Sequence, residues 1–320
     1  MGMTGCDEVT PQLADDGPTV HFTAAGDVGL GSGAKGVLNK VRELAPDFNI
    51  ILGDLSYEQG AEQKFCDLVQ QLLGPEIPTL LVAGNHESNG PDGYISNYVE
   101  CLPNRLQGLQ GDYGKQWYVD VPDENPIVRL IMVSPGLEFP DGRTDYSKGS
   151  ASYLWTEAAI DTAREAKIPW TIVGMHNMCF SIGHYGCDAG QAFLNLLVRK
   201  SVDLVLTGHE HVYQRTFQIG YGDGCPYLFV QEVNPKCVTD SDSSVNQGNG
   251  TVFVTNGVGG QSLRDINTED AEKPYFAAWS GANYSPAKGT AHVVLDSTHM
   301  RVDFIPSRGY EFQDSFRIER

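Results

Sequence analysis

The sequence predicts an α/β fold in which two packed, mixed β-sheets are flanked by helices. Apolar runs of strand length alternate with helix-length segments up to residue 83, and the alternation returns between residues 153 and 207. Such alternation favours parallel sheets with helices on their faces. From residue 213 onward short strands follow one another without helices. Because no linker interrupts the chain, we expect a flexible segment at 1–18 and a single domain at 19–320.

The first half predicts a β-α-β-α-β unit with parallel strands. Helix 32–44 carries apolar residues at helical spacing, and strand 48–52 is almost wholly apolar, as expected of a strand covered on both faces. The predicted elements are strands 20–24, 48–52 and 79–83 and helices 32–44 and 65–73. Residues 88–115 contain several Gly, Asn and Pro residues and are too long for an ordinary connection, so we expect a lid or rim there.

The second half predicts a hairpin, a return of the β-α pattern and then a series of short strands. The hairpin comprises 117–121 and 127–133, joined by a turn that ends at Pro126. Helices are expected at 153–166 and 191–200, and strands at 170–175, 204–207, 227–230, 252–255, 292–295 and 302–305. No helices separate the last four strands, so we expect them to join the second sheet in antiparallel orientation.

The charge balance restricts the partners of this protein. Its 22 basic and 41 acidic residues give a net charge of −19, which disfavours binding to nucleic acids and to anionic membrane surfaces. No apolar run approaches the ~18 residues that span a bilayer. The sequence contains no signal peptide, so we expect any export signal to be missing from it.

The seven cysteines bear on the compartment. The last four form two close pairs, and no CxxC spacing typical of zinc sites occurs. We expect three disulfides, Cys66–Cys101, Cys179–Cys187 and Cys225–Cys237, and hence a secreted or cell-envelope protein in an oxidising compartment. The alternative is a cytosolic enzyme with seven buried thiols. Cys6 is left unpaired: it is either a lipid-anchored residue, since the small residues before it resemble the end of a lipoprotein signal, or a free cysteine.

Polar residues that can bind metal follow five of the predicted strands. Gly53 lets the chain turn after strand 48–52, so Asp54 lies at the strand end with the Tyr57 phenol three residues later. The candidate metal ligands are Asp27, Asp54, Tyr57, Asn85, His176, His209 and His211. Oxygen and imidazole ligands suit iron, manganese or zinc, and seven of them suit two ions roughly 3.5 Å apart that share a carboxylate. The alternative is that these residues form ordinary turns and packed side chains.

These residues fall into five blocks that occur in order along the chain. The blocks are Asp27-Val28-Gly29, Gly53-Asp54-Leu55-Ser56-Tyr57, Gly84-Asn85-His86-Glu87, Val173-Gly174-Met175-His176 and Gly208-His209-Glu210-His211. Together they resemble the blocks of the purple acid phosphatases, a group of the calcineurin-like metallophosphoesterases. The resemblance implies a four-layer αββα sandwich and the hydrolysis of phosphate monoesters from small phosphorylated substrates.

The resemblance also implies which residues hold each metal ion. A ferric ion would be held by Asp27, Asp54, Tyr57 and His211, and a divalent iron, zinc or manganese ion by Asp54, Asn85, His176 and His209. Asp54 would bridge the two ions, and a metal-bound hydroxide would attack phosphorus in line.

Catalytic and substrate-binding roles follow from the same resemblance. His86 and His184 would be catalytic groups near the leaving oxygen, and Asn85, His86, His184 and Tyr185 would bind substrate. Tyr185 stands where the family has a second histidine.

Two other functions remain open. A phosphodiesterase or nucleotidase of the same superfamily would use two divalent ions and would tolerate Phe in place of Tyr57. A secreted binding protein would use the polar strand ends only as turns, and it would neither bind metal nor release phosphate.

Overall fold

Two mixed β-sheets pack face to face in the computed structural model, which describes residues 17–90 and 92–320. Cys6 and nearly all of the predicted flexible segment at 1–18 lie outside these residues. The helices are α1 (Ser32–Leu44), α2 (Glu62–Leu73), α3 (Asn85–Ser88), α4 (Ile95–Cys101), α5 (Ala151–Glu165) and α6 (Gln191–Arg199), with short 3-10 turns at Pro235–Cys237 and Lys273–Tyr275.

The strands, in chain order, are β1 (Val20–Ala25), β2 (Phe48–Leu52), β3 (Thr79–Val82), β4 (Gln110–Asp112), β5 (Gln116–Val121), β6 (Val128–Val133), β7 (Glu138–Phe139), β8 (Gly142–Arg143), β9 (Trp170–Met175), β10 (Leu204–Thr207), β11 (Tyr213–Thr216), β12 (Gln218–Ile219), β13 (Val238–Asp240), β14 (Ser244–Asn246), β15 (Val252–Asn256), β16 (Phe276–Ser280), β17 (Gly289–Leu295), β18 (His299–Pro306) and β19 (Asp314–Glu319).

The first sheet has seven strands in the order β14-β19-β18-β17-β1-β2-β3. Strands β1, β2 and β3 are parallel, and β17 pairs antiparallel with β1, with Val20 opposite Leu295. Every residue of β2 is buried, in agreement with its continuous apolar sequence. Strand β1 therefore lies between a parallel neighbour from the first half of the chain and an antiparallel neighbour from its end.

The second sheet has eight strands in the order β16-β11-β15-β10-β9-β6-β5-β4. Its central strands β6, β9, β10 and β15 are parallel, while β5 and β11 pair antiparallel at either side. The predicted hairpin is β5 and β6, which are joined through a cis Val121–Pro122 peptide bond.

Three apolar clusters hold the layers together. Between the sheets, Phe22 and Ile50 belong to one buried cluster with Ile172 of the second sheet. A second cluster packs α5 and α6 on the outer face of the second sheet, and a third packs α1 and α2 on the outer face of the first. The order of layers is therefore helix, sheet, sheet, helix, which confirms the predicted fold class.

The structure corrects two predictions about the short strands. Residues 227–230 do not form a strand: the N–H groups of Leu228 and Val230 donate to side chains of α6, at 3.0 Å to Asn195 Oδ1 and 3.2 Å to Gln191 Oε1. The remaining three strands do not all join the second sheet in antiparallel orientation. Strand β15 joins it in parallel beside β10, and β17 and β18 belong to the first sheet.

The structure confirms the three predicted disulfides. Cys66 is bonded to Cys101, Cys179 to Cys187 and Cys225 to Cys237. The predicted rim at 88–115 contains helix α4 and strand β4, and the first disulfide ties α4 to α2. Among the residues that the structure describes, no helix combines the length and the apolar character needed to cross a membrane.

Candidate metal centre

The predicted ligands meet where the parallel strands of both sheets end. Asp27 follows β1 and Asp54 follows β2, while Asn85 is the first residue of α3 after β3. From the second sheet, His176 follows β9 directly, and His209 and His211 lie between β10 and β11. Parallel strands end at one edge of their sheet, so the two sheets deliver these side chains to a common site.

Tyr57 lies at the centre of one group of ligands. Its hydroxyl oxygen is 2.9 Å from Asp27 Oδ1, 2.9 Å from Asp54 Oδ2 and 3.1 Å from His211 Nε2. One phenol hydroxyl carries a single proton and cannot satisfy three acceptors at once. The arrangement therefore concentrates lone pairs at one point, as a cation site requires.

His176 lies at the centre of the second group. Its Nε2 is 3.2 Å from Asp54 Oδ1 and 3.1 Å from Asn85 Oδ1, and it lies 3.2 Å from His209 Nδ1. Asp54, His176 and His209 offer ligand atoms that all lie within 4.8 Å of one another. Asp54 turns one carboxylate oxygen toward each group, which is the position of a bridging ligand.

The three histidines are oriented through their outer nitrogens. His176 Nδ1 is 2.7 Å from the carbonyl oxygen of Leu52, and His211 Nδ1 is 2.9 Å from that of Ser262. A carbonyl only accepts, so each Nδ1 carries a proton and each Nε2 faces the site. His209 is turned the other way: its Nε2 is 3.3 Å from Asp188 Oδ2 and its Nδ1 faces inward. Metal-binding histidines are held in this manner, so the residues fit a metal centre.

Burial and charge together shift the pKa values of two predicted ligands. Asp54 is 2% exposed and His176 is fully buried. Burial disfavours the charged imidazole of His176, but the Asp54 carboxylate outweighs it and raises the pKa of His176 to about 10. Burial and the charges of Asp27 and Asp54 raise the pKa of Tyr57 far above its usual range. A bound cation would therefore have to displace protons from both groups.

Four candidate ligands have strained backbones. Asp27, Asp54, Tyr57 and His209 have positive φ angles of 60°, 55°, 59° and 69°. Non-glycine residues in this region cost on the order of 1–3 kcal/mol each, and they are concentrated at functional sites. The strain at these four residues lowers the stability of the folded state, but it directs their side chains to one site.

Glu87 braces the turns on which Asp54 and Asn85 lie. It is 1% exposed, and its carboxylate accepts the N–H groups of Gly84, Asp54 and Leu55 at 2.5, 2.9 and 3.1 Å. Burial and the charge of Asp54 raise the pKa of Glu87 to about 8. Gly84 is required here, because a Cβ at this position would lie 2.2 Å from Asp54 Oδ1.

The predicted catalytic and substrate-binding residues differ in how close they lie to the predicted metal ligands. His86 is partly exposed, its ring lies 4.2 Å from that of Tyr57, and its Nε2 is 3.6 Å from Asp54 Oδ2. Tyr185 stacks on His209, with ring centroids 3.9 Å apart. His184 is exposed and its ring contacts Tyr185, so His184 lies farther from His209 than Tyr185 does.

Besides Glu87, four more residues to which the sequence analysis gave no role contribute to the site. Asp92 contacts His86 Nδ1, and Asp188 contacts His209. Glu210 and Arg264 hold Tyr185 in place, as described below. Glu210 could have been found from the sequence, because it lies between two predicted ligands. The other three lie in loops and belong to no recognisable motif.

Comparisons with known proteins place this chain in a family. The calcineurin-like phosphoesterase family matches residues 20–213. Purple acid phosphatase 18 of Arabidopsis thaliana is 27% identical over 214 residues, covering 65% of this chain and 47% of the relative. A nucleotide pyrophosphatase/phosphodiesterase of Hordeum vulgare is 25% identical over 304 residues, covering 89% of this chain and 76% of the relative.

The solved structures show the same fold. A purple acid phosphatase from yellow lupin (Lupinus luteus) seeds superimposes with a TM-score of 0.69 at 17% identity, covering 95% of this chain and 54% of the lupin chain. The chain spans about half the length of the first curated relatives, 47% and 45%. Since the family match covers well over half of its residues, the chain belongs to the calcineurin-like phosphoesterases, hydrolases that bind metal, and within them it is purple acid phosphatase-like.

Proposed function

We propose that this protein hydrolyses phosphate monoesters with a centre of one ferric and one divalent ion, as a purple acid phosphatase. The observation that carries the proposal is the position of the Tyr57 hydroxyl among Asp27, Asp54 and His211. Burial and two carboxylates oppose ionisation of this phenol, so only a strongly Lewis-acidic ion would hold it as a phenolate. Ferric iron is such an ion.

Each ion would have its own set of protein ligands. Asp27, Asp54, Tyr57 and His211 would hold the ferric ion, and Asp54, Asn85, His176 and His209 the divalent iron, zinc or manganese ion. When bound, the pair of ions would supply Lewis acidity for the activation of water and the neutralisation of phosphate charge. Local positive charge of this kind would also let an anionic substrate bind to a protein whose net charge is −19.

His86 would donate a proton to the leaving oxygen. Its ring is partly exposed at the edge of the site, and its Nδ1 contacts the carboxylate of Asp92. This contact fixes the orientation of the ring. Asn85 would bind the phosphate beside His86, while Tyr185 and the more distant His184 would line the substrate side.

A phosphodiesterase or nucleotidase that uses two divalent ions is the second candidate. The barley relative supports it, because that protein is named as a nucleotide pyrophosphatase/phosphodiesterase and is matched over 89% of this chain. Such an enzyme needs no phenolate ligand, so the two candidate functions predict different roles for Tyr57.

The three disulfides support an oxidising compartment, and we propose a secreted or cell-envelope location for the enzyme. Small phosphorylated molecules would be its substrates.

The deciding experiment is an absorption spectrum with metal analysis on the same sample. A ferric phenolate has a charge-transfer band in the visible, so the protein as isolated should be purple or pink. The Tyr57→Phe variant should lose the band while keeping the other ligands, and the wild type should work best in mild acid. A colourless, active protein with two zinc or manganese ions and an alkaline optimum would support the phosphodiesterase instead.

A further inference from the structure

Arg264 lies at the edge of the candidate metal centre. Its Nη1 is 3.4 Å from the backbone oxygen of His209, and its backbone N–H donates to the carbonyl of His211 at 3.0 Å. Its guanidinium lies 4.6 Å from the centre of the Tyr185 ring, and Nη2 donates to the Tyr185 hydroxyl at 3.1 Å. Tyr185 in turn stacks on His209. Arg264 and Tyr185 therefore form one layered contact against a predicted ligand.

The loop that carries Tyr185 is held by Glu210. Glu210 is fully buried, and its Oε2 accepts the N–H groups of His184 and Tyr185 at 2.6 and 2.7 Å. The Cys179–Cys187 disulfide closes the same loop. Gly183 packs against Glu210 so closely that a Cβ there would lie 2.4 Å from its carboxyl carbon. The position of Tyr185 beside the site is thus set by several independent contacts.

Arg264 has a charge to offer beyond its contact with Glu210. The pair is long, at 3.4 Å between Nη1 and Glu210 Oε1, and the other Glu210 oxygen accepts two backbone N–H groups of the loop. The Arg264 side chain is 32% exposed, and a guanidinium carries five N–H donors. Its side-chain contacts among the described residues involve Nη1 and Nη2, so part of this partly exposed guanidinium is left to contact a ligand.

We infer that Arg264 binds the phosphate group of the substrate and selects dianionic phosphate monoesters over monoanionic diesters. This inference rests on the proposed function and names its substrate class. The energy of a charge contact scales with the charge of the ligand, so Arg264 contributes more to a dianion than to a monoanion. A guanidinium can bind two free oxygens of either ester, so the discrimination comes from the difference in charge.

The test compares Arg264→Ala with Arg320→Ala in the protein as isolated, with its metals. Arg320 is exposed, and its N–H bonds to Thr298 at the opposite edge of the first sheet, so its removal changes the net charge equally. We expect Arg264→Ala to weaken the binding of inorganic phosphate by about tenfold, measured by calorimetry at pH 7. We expect kcat/KM for p-nitrophenyl phosphate to fall roughly 10- to 100-fold, and that for bis(p-nitrophenyl) phosphate less than about threefold.

Two further variants separate binding from loop structure. Arg264→Lys should restore part of the phosphate affinity, and Arg264→Gln serves if the alanine variant does not fold. Equal losses on both esters, or unchanged phosphate affinity in all Arg264 variants, would overturn the inference and leave Arg264 as a counter-ion of Glu210. Absence of monoester hydrolysis by the wild type would instead overturn the proposed function, while the phosphate titration would still decide the role of Arg264.

Discussion

His86 and Asp92 form a pair at the edge of the candidate centre, and the proposed function assigns them different roles. His86→Ala should keep both metals and lower kcat by roughly 10²- to 10⁴-fold, the range for general acid–base groups. Asp92→Asn should lower kcat less, because the imidazole remains and only loses its orienting partner. Metal content and kcat of the purified variants measure both effects.

The leaving group provides the control for this prediction. p-Nitrophenolate leaves readily without a proton, whereas an alkoxide does not, so His86→Ala should reduce hydrolysis of an alkyl phosphate more than that of p-nitrophenyl phosphate. An equal reduction on both substrates would show that His86 only shapes the site. Loss of metal would place His86 among the ligands.

At the residue scale, motifs predicted the side chains that point inward but not those that support them. Asp54 and His176 follow apolar strands, and this position at strand ends was enough to predict that they lie at one edge of the sheets. Asp92 and Asp188 lie in irregular loops, where side-chain positions depend on folded contacts that no periodicity encodes. His184 and Tyr185 show the same limit, since the fold determines which of two adjacent rings reaches His209.

At the scale of single elements, the start of β10 carries a buried acid that makes stability depend on pH. Asp203 is 5% exposed and accepts the N–H of Thr171 at 2.8 Å. Burial raises its pKa to about 6, so the folded state keeps a proton that the unfolded state loses from about pH 4. This residue's contribution to the free energy of unfolding therefore falls as pH rises from about 4 to 6.

Asp203→Asn should remove this dependence. An amide oxygen still accepts from Thr171 but carries no charge, so the variant should be more stable than wild type by roughly 1–3 kcal/mol at pH 7. Urea unfolding of both proteins at pH 7 and near pH 4 measures the difference. The two proteins should be nearly equal at the lower pH, and a constant difference at both values would contradict the assignment.

Apolar periodicity predicted the existence of elements better than their partners. Helix α1 has the predicted bounds, because its apolar stripe and the strands around it are unambiguous. Residues 227–230 have the composition of a strand, yet their N–H groups bond to α6 and the neighbouring chain is tied by Cys225–Cys237. Composition cannot distinguish a strand from a tethered loop when side chains supply the hydrogen bonds.

At the scale of the whole molecule, the candidate centre joins the two sheets. Asp27 and Asp54 come from the first sheet, and His176 and His209 from the second. Metal ions that bind only the folded state stabilise it, by about 4 kcal/mol when their free concentration is a thousand times Kd. Treatment of the proposed enzyme with ascorbate and a chelator should therefore lower its Tm by roughly 5–10 °C or more.

Asp54→Asn is the matched control for this measurement. It removes the charge of the carboxylate shared by both groups, so its Tm should respond little to the chelator. A wild-type Tm that chelation leaves unchanged would argue against ions held between the sheets.

The fold class was predictable at this scale, but the assignment of the last strands was not. Alternating β-α segments indicate parallel sheets wherever they occur. Strands β17 and β18 are as regular as β15, yet they joined the first sheet and β15 the second. The choice of sheet is decided by packing across the whole chain, which local sequence does not carry.

The pairing of β1 with β17 has a consequence for biosynthesis. The register of Val20 with Leu295 means that β1 leaves the ribosome long before β17, the strand that covers one of its edges. At ~5–20 residues per second, synthesis of the intervening chain takes on the order of 10 to 60 s. Throughout that time the nascent chain presents an unpaired strand edge, which can pair with another chain until β17 has been made.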